Sequence, residues 1–267
     1  MTGGPMVKTL EYKSTIEKNN GKAETPVRRL LVATPTLGNV RMEWVLARYG
    51  QIIPTNWGMV NLNQFIHAHA PLGYTVPDAQ NMICRAVMSG EIKYEWLMLI
   101  EDDTMPPNDM FVRMNEYMRK GDVPIVSGLY FTKSNPTEPI VYRGRGNSFY
   151  SDWKLGDKVW ADGVPTGCLL INVKIIKALW DESPEYMCGP DRTRRVFEAP
   201  AQAWRDPEKG FLIAETGTSD LEFCARVMRD DIFTKAGFPK YAKKKYPFLI
   251  DTNIFCKHID QNGKVYP

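Results

Sequence analysis

The chain has 267 residues, of which 43% are apolar and 24% charged, an ordinary balance for a globular protein with a sizeable core. A net charge of +3 is too small to require a nucleic-acid partner, and no apolar run is long enough to cross a bilayer. The N-terminal MTGGPMVKTLEYK lacks the apolar core of a signal peptide. Cys84, Cys168, Cys188, Cys224 and Cys256 are odd in number and free of CxxC spacing. That argues against a disulfide framework or a zinc cage, so a soluble cytoplasmic protein is expected.

Residues 1–26 are polar and Gly/Asn-containing, and are expected to form an N-terminal arm. From Arg28 the pattern changes: RRLLVATPT predicts a strand over Leu30 to Ala33, broken at Pro35. A helix follows over about Val40 to Tyr49, with Val40, Trp44 and Val45 on its apolar side and Gly50 at its end. Pro77 sits in the first turn of a second helix, where Ala79, Met82, Ile83, Ala86 and Val87 repeat at helical spacing before Gly90. Trp96 to Ile100 predicts a buried strand. Asn108 is a candidate cap for a third helix, with a stripe of Met110, Phe111, Met114, Tyr117 and Met118 closing near Gly121. PIVSGLYF predicts the next strand.

The first half thus alternates strand and helix, which implies a mainly parallel sheet. Residues 132–167 carry short strand candidates at 140–142 and 158–160. GCLLINVKIIKALW predicts a strand and a short helix, and 181–210 reads as a long irregular segment of the kind that is functional or mobile. A last helix is expected over about Asp220 to Arg229, then a strand in PFLIDTNIF, then Cys256-Lys257-His258.

WLMLIEDDTMPP carries the most chemistry. A buried strand stops on Glu101, Asp102 and Asp103, and ligands in open α/β sheets bind outside the carboxyl ends of strands. Adjacent carboxylates repel one another, and hard oxygen donors of this kind suit Mg²⁺ or Mn²⁺ holding substrate phosphates. The competing possibility is a solvated acidic loop after a core strand. Arg192, Arg194 and Arg195 cluster, as do Lys243, Lys244 and Lys245 between Tyr241 and Tyr246. Such runs form solvated faces or meet a polyanionic partner. Trp153, Trp160 and Trp204 either stack on substrate or anchor loops. His67 and His69 alternate as if on one strand face, a weak metal pattern.

In this order, the pieces resemble a metal-dependent glycosyltransferase of the GT-A fold, family 2 above all. The resemblance spans about Leu30 to His258. The turn ATPT is similar to the family's opening strand, whose end contacts the nucleotide. VPDAQNMICRAV looks like the helix that often begins Ala-Arg-Asn. LIEDDTMPP is similar to the Asp-x-Asp strand, and GTSDLEFCARV resembles the Glu-Asp-x-Asp helix start.

The fold so implied is α/β: one GT-A domain over 27–267, with a mixed, mainly parallel central sheet flanked by helices. Residues 27–135 would form its nucleotide-sugar half, and 136–267 an irregular acceptor half. The same resemblance implies donor contacts from Thr34, Pro35, Thr36, Asn81, Glu101 and Asp102. It implies a metal, Mn²⁺ or Mg²⁺, held by Asp103, Glu101 and His258. It makes Asp220 the catalytic base of an inverting displacement, with Glu222 in reserve. Read from the residues alone, His258 is equally a capping or surface histidine, whereas Asp220 reads first as a base that could also cap its helix. Thr166-Gly167-Cys168 resembles the acceptor-side turn, where Gly167 would let substrate approach the backbone.

Two positions depart from the family. No Asp around Met59 to Phe65 is available to read the nucleotide base, leaving Asn61 or Asn63, and Gln80 stands where Arg is usual. The expected partners are a nucleotide-sugar donor and an acceptor of open identity: a saccharide, or an anionic acceptor such as hydroxylated nucleic acid. The rivals are a nucleotidyltransferase, for which TPTLGN is a poor phosphate loop, and a non-catalytic GT-A-like module binding a glycan or nucleotide.

Overall fold

The computed structural model describes residues 29–267 apart from 68, 91, 145–148, 206 and 209–211, and apart from the side chains of 203, 204 and 212–216. The expected N-terminal arm lies outside the described residues. Strand β1 (Leu30–Ala33) is followed by α1 (Met42–Tyr49), which ends at Gly50 as its sequence predicts. Its buried side is Trp44 and Arg48, while Val40 is exposed. The segment around Met59 to Phe65, which offers no base-reading Asp, is a helix, α2 (Met59–Ile66). The edge beside β1 is instead extended by isolated parallel bridges from His69 and Leu72.

Helix α3 (Val76–Ser89) starts at Thr75, whose hydroxyl accepts the Asp78 N–H and bonds the Asp78 carboxylate at 2.8 Å. Both contacts engage groups that the first turn leaves open. Strand β2 (Trp96–Ile100) is fully buried. It leads into the two-residue β3 (Thr104–Met105) and α4 (Met110–Lys120). Asp109, not Asn108, occupies the N-cap of α4, and no side chain caps it. Gly121 closes it at φ 65, a left-handed conformation that a residue lacking Cβ adopts cheaply.

Strands β4 (Ile125–Leu129), β5 (Lys158–Ala161) and β6 (Cys168–Asn172) precede α5 (Val173–Glu182). The stretch expected to be irregular is two antiparallel hairpins. They pair β7 (Glu185–Cys188) with β8 (Asp191–Arg194), and β9 (Ala201–Arg205) with β10 (Leu212–Thr216). Helix α6 (Ser219–Arg229) leads through the short α7 (Ile232–Lys235) and α8 (Pro239–Ala242) to β11 (Phe248–Phe255). The chain closes with β12 (Lys257–Ile259) and β13 (Val265–Tyr266).

The main sheet has the order β1-β2-β6-β4-β11-β5. Two pairings are parallel (β1 with β2, β4 with β11), and the three involving β6 or β5 are antiparallel. The sheet is therefore mixed, and the expectation of a mainly parallel one is corrected. The alternation of strand and helix failed as a guide after β4, because β6 and β5 come from the second half and insert in the opposite direction.

Strands β1, β2, β4 and β11 still share one direction, so their carboxyl ends line one edge. Their residues alternate between two cores. Leu97 and Leu99 face α3, α5 and α6, whereas Trp96, Met98 and Ile100 face α1 and α4. Burial of each such Leu or Met contributes roughly 1.5–3 kcal/mol. The cysteines are free and buried, and no helix among the described residues is long and apolar enough to cross a membrane.

Candidate active site

At the carboxyl edge, β1 ends beside β2, and Thr36 donates its hydroxyl to Asp102 Oδ2 at 2.5 Å. Burial raises the Asp102 carboxyl, and this hydrogen bond opposes the shift. Thr34 and Pro35, expected beside the donor, are covered, and Thr34 Oγ1 is buried with no hydrogen-bond partner. Of that turn only Thr36 reaches the site. Glu101 accepts the Thr166 hydroxyl at 2.6 Å, and Thr166 in turn accepts from Gln80 Nε2 at 3.1 Å. Burial first, then the charge of Asp103, pushes Glu101 up to about 8, so its carboxyl keeps its proton at neutral pH.

Asp103 is held from two directions. Lys133, just past β4, forms an ion pair with its Oδ2. The backbone carbonyl of Asp103 accepts the Ile259 N–H at 2.8 Å, because β12 pairs antiparallel with β3 and sets His258 opposite Thr104. Asp103 and His258, far apart in sequence, thus become neighbours close enough for the carboxylate to act on the imidazole. His258 Nδ1 lies 2.6 Å from the Phe131 carbonyl, which only accepts, so the ring proton is assigned to Nδ1 and Nε2 keeps its lone pair. Burial lowers the His258 pKa and favours that neutral ring.

Asp220 stands at the start of α6, where its Oδ1 accepts the Leu221 N–H at 2.8 Å. Burial raises its carboxyl against hydrogen bonds from Thr218 and Leu221. Its charge in turn raises Glu101, Tyr130 and Tyr142, which places it beside the strand-end acids. Glu222, the reserve base, is instead engaged by Arg229 along the same helix at 3.2 Å. That ion pair removes it from the acid cluster.

Other expectations are corrected by the packing. Asn81 is spent on the fold: its amide donates to the Tyr186 hydroxyl and Phe197 carbonyl and accepts the Phe197 N–H. With both ends satisfied, it has nothing to offer a donor. Asn61 caps β1 by accepting the Leu30 N–H, so it is not exposed to read a base. Gly167 is not open to substrate, since an added Cβ would collide with the Tyr130 and Thr104 hydroxyls.

Trp153 and Trp160 are half-buried against the core, with Lys244 Nζ 3.4 Å from the Trp160 ring centroid. The Trp204 side chain lies outside the described residues. His67 caps the end of α2 while His69 pairs with β1, so they share no strand face.

Among the described residues, no group of three or more His, Cys, Asp or Glu side chains is arranged to hold a metal ion. The three-membered set of Asp103, Glu101 and His258 is therefore not assembled among the described residues, where Glu101 Oε1 instead accepts the Thr166 hydroxyl. Asp103 and His258 still fit a divalent cation, which commonly binds one or two protein groups and completes its shell with substrate phosphates. The Nδ1–H bond of His258 to a backbone carbonyl is the usual orienting contact behind a metal-binding imidazole. Lys133 was missed by sequence reasoning. The rule that strand carboxyl ends face the ligand would have flagged the residues after PIVSGLYF.

No family model and no curated protein matches the sequence. Among solved structures, A197 from STIV superposes over 89% of this chain and 93% of its own, with a TM-score of 0.51 and 12% identity. That likeness is one of fold. TarS from S. aureus matches 58% of this chain and 30% of its own at a TM-score of 0.37 and 8% identity, too distant to add to it.

Proposed function

We propose that the chain is a metal-dependent glycosyltransferase that moves a sugar from a nucleotide-diphosphate donor to an acceptor hydroxyl by inverting displacement. The observation that carries this reading is the meeting of Asp103 and His258 across the β3–β12 pairing, beside Asp102 and within electrostatic reach of Asp220. Buried carboxylates gathered at a strand end are costly unless a cation or ligand answers them.

Asp103 and His258 Nε2 would hold Mn²⁺ or Mg²⁺, which when bound acts as a Lewis acid on the diphosphate oxygens. Lys133, which pairs with Asp103 Oδ2 in the structure, would be released by a metal on that carboxylate and add its positive charge to the same leaving group. Asp102, oriented by Thr36, is placed to accept hydrogen bonds from the donor ribose or sugar. Protonated Glu101 holds the end of β2 to the Thr166 turn, a supporting role rather than that of a metal ligand.

Asp220 takes the proton of the acceptor hydroxyl as the new bond forms. Its raised carboxyl is a stronger base than an exposed aspartate, a contribution of about 10²- to 10⁴-fold. The decisive assay is release of nucleoside diphosphate from a panel of nucleotide sugars with Mn²⁺. Turnover by the wild type that is lost in Asp103→Asn supports the proposal, and turnover unchanged by that substitution sinks it.

A further inference from the structure

Immediately after Asp220, helix α6 walls a separate cavity of about 720 Å³. Leu221 lines it from the helix, Arg143 and Gly144 from the loop after Tyr142, Asp162 from the end of β5, and Lys245 with Tyr246 from the segment before β11. Its volume suits a single nucleotide or sugar phosphate.

The cations in this wall are unequal. Arg229 at its margin is already engaged by Glu222 and Asp230. Arg143 and Lys245, by contrast, form no ion pair among the described residues. Arg143 is nevertheless held in place. Its Nε donates to the Trp160 carbonyl at 2.9 Å, and its guanidinium carbon lies 3.6 Å from the Tyr150 centroid and 4.6 Å from that of Tyr246. Both Nη groups have no protein partner among the described residues, which leaves an oriented fork of donors. Lys245 Nζ sits 5.2 Å from the Tyr246 ring centroid, and its side chain has no ion pair or hydrogen bond among the described residues. Asp162 lines the cavity too, with its Oδ2 accepting the Gly144 N–H at 2.7 Å.

We infer that this cavity binds a phosphate ester on the acceptor. A phosphate dianion answers two unpaired cations, one of them a guanidinium fork, whereas a carboxylate answers one and a neutral sugar leaves both unanswered. The Tyr246 ring that both cations touch lies in the same wall and adds apolar surface for the base or sugar that carries the phosphate. The cavity also adjoins the proposed base twice in the chain, through Leu221 and through Tyr142 next to Arg143. Its assignment to the acceptor rests on the glycosyltransferase reading.

The test is calorimetric titration of the full chain with four probes: glucose 6-phosphate, a 5′-phosphorylated single-stranded deoxypentanucleotide, glucuronate and glucose. The expected result is that at least one phosphate probe binds about tenfold more tightly than glucuronate or glucose. Arg143→Gln and Lys245→Gln should each weaken it about tenfold. Lys245→Gln leaves the Arg143 stack untouched, so it reads charge without risk to the fold. Tighter binding of the oligonucleotide identifies a nucleic-acid source, and tighter binding of the sugar phosphate a small-molecule one. Failure of both phosphate probes to bind in the millimolar range, equal binding of glucose, or unchanged affinity in the double variant would each overturn the inference. Titration of nucleoside diphosphate with Mn²⁺ on the same samples separates the two proposals. Loss of that binding alone removes the glycosyltransferase reading and leaves the phosphate site standing.

Discussion

Two neighbouring polar regions of this protein, one fully buried around Asn81 and one half-buried at the strand-end acids, behave in opposite ways. Around Asn81 every polar atom is answered: Tyr186, Phe197 and Thr193 take both ends of its amide and its backbone carbonyl, tying α3 to the β7–β8 hairpin and the chain beyond it. One residue earlier, Gln80 reaches toward Thr166 and Glu101, and its own carbonyl oxygen is left without a partner. The acids it supports crowd together, and Asp102, Glu101 and Asp220 are all raised from their ordinary values because burial resists their charge. A satisfied network stabilises the fold, while a region of unrelieved charge is the place to look for a ligand.

The sharpest way to break that comparison is at Asp103 and Asp220. Asp220→Asn should lower the transfer rate about 10²- to 10⁴-fold with the far-UV circular dichroism unchanged. The wild-type rate should climb with pH through a value above that of a free aspartate, since only the charged carboxylate accepts the proton. A pH profile identical in the variant would remove Asp220 from catalysis. Asp103→Asn should weaken nucleoside diphosphate binding in Mn²⁺ and leave it nearly unchanged in EDTA, as titration calorimetry would show.

Asn81→Ala tests the other region. It strands a buried N–H and a buried carbonyl, so unfolding in urea should come roughly 2–4 kcal/mol earlier, with diphosphate affinity unaltered. Weaker diphosphate binding at wild-type stability would return Asn81 to the donor site.

Glu101→Gln sharpens the contrast through pH. In metal-free buffer the native Glu101 carboxyl keeps its proton up to about 8, while the unfolded chain releases it near 4.5. The native state therefore binds more protons between these values. Stability from this group is complete below 4.5 and is lost as pH rises toward about 8. Wild-type stability should fall by at most about 5 kcal/mol across that window relative to Glu101→Gln, read from urea midpoints. Parallel midpoints for the two proteins would show that Glu101 is already charged. The smallest effect belongs to Glu222→Gln, whose half-exposed ion pair with Arg229 should be worth under about 1 kcal/mol and whose loss should leave the rate unchanged.

The sequence alone determined the local elements whose signals are local. The apolar run Trp96 to Ile100 became β2, the spacing from Ala79 to Val87 became α3, and Gly50 and Gly121 ended helices where expected. It also placed the acids at a strand end, because strand length and burial are written in consecutive residues. Tertiary structure decided the rest. The direction of β6 and β5 depends on partners distant in the chain, so strand–helix alternation could not reveal a mixed sheet. Whether Asn81 or Glu222 faces a ligand depended on Tyr186, Phe197 and Arg229, which only folding brings within hydrogen-bond reach. The same holds for Lys133 and His258 beside Asp103: their meeting is set by a sheet pairing and a loop after β4, which no spacing along the chain encodes.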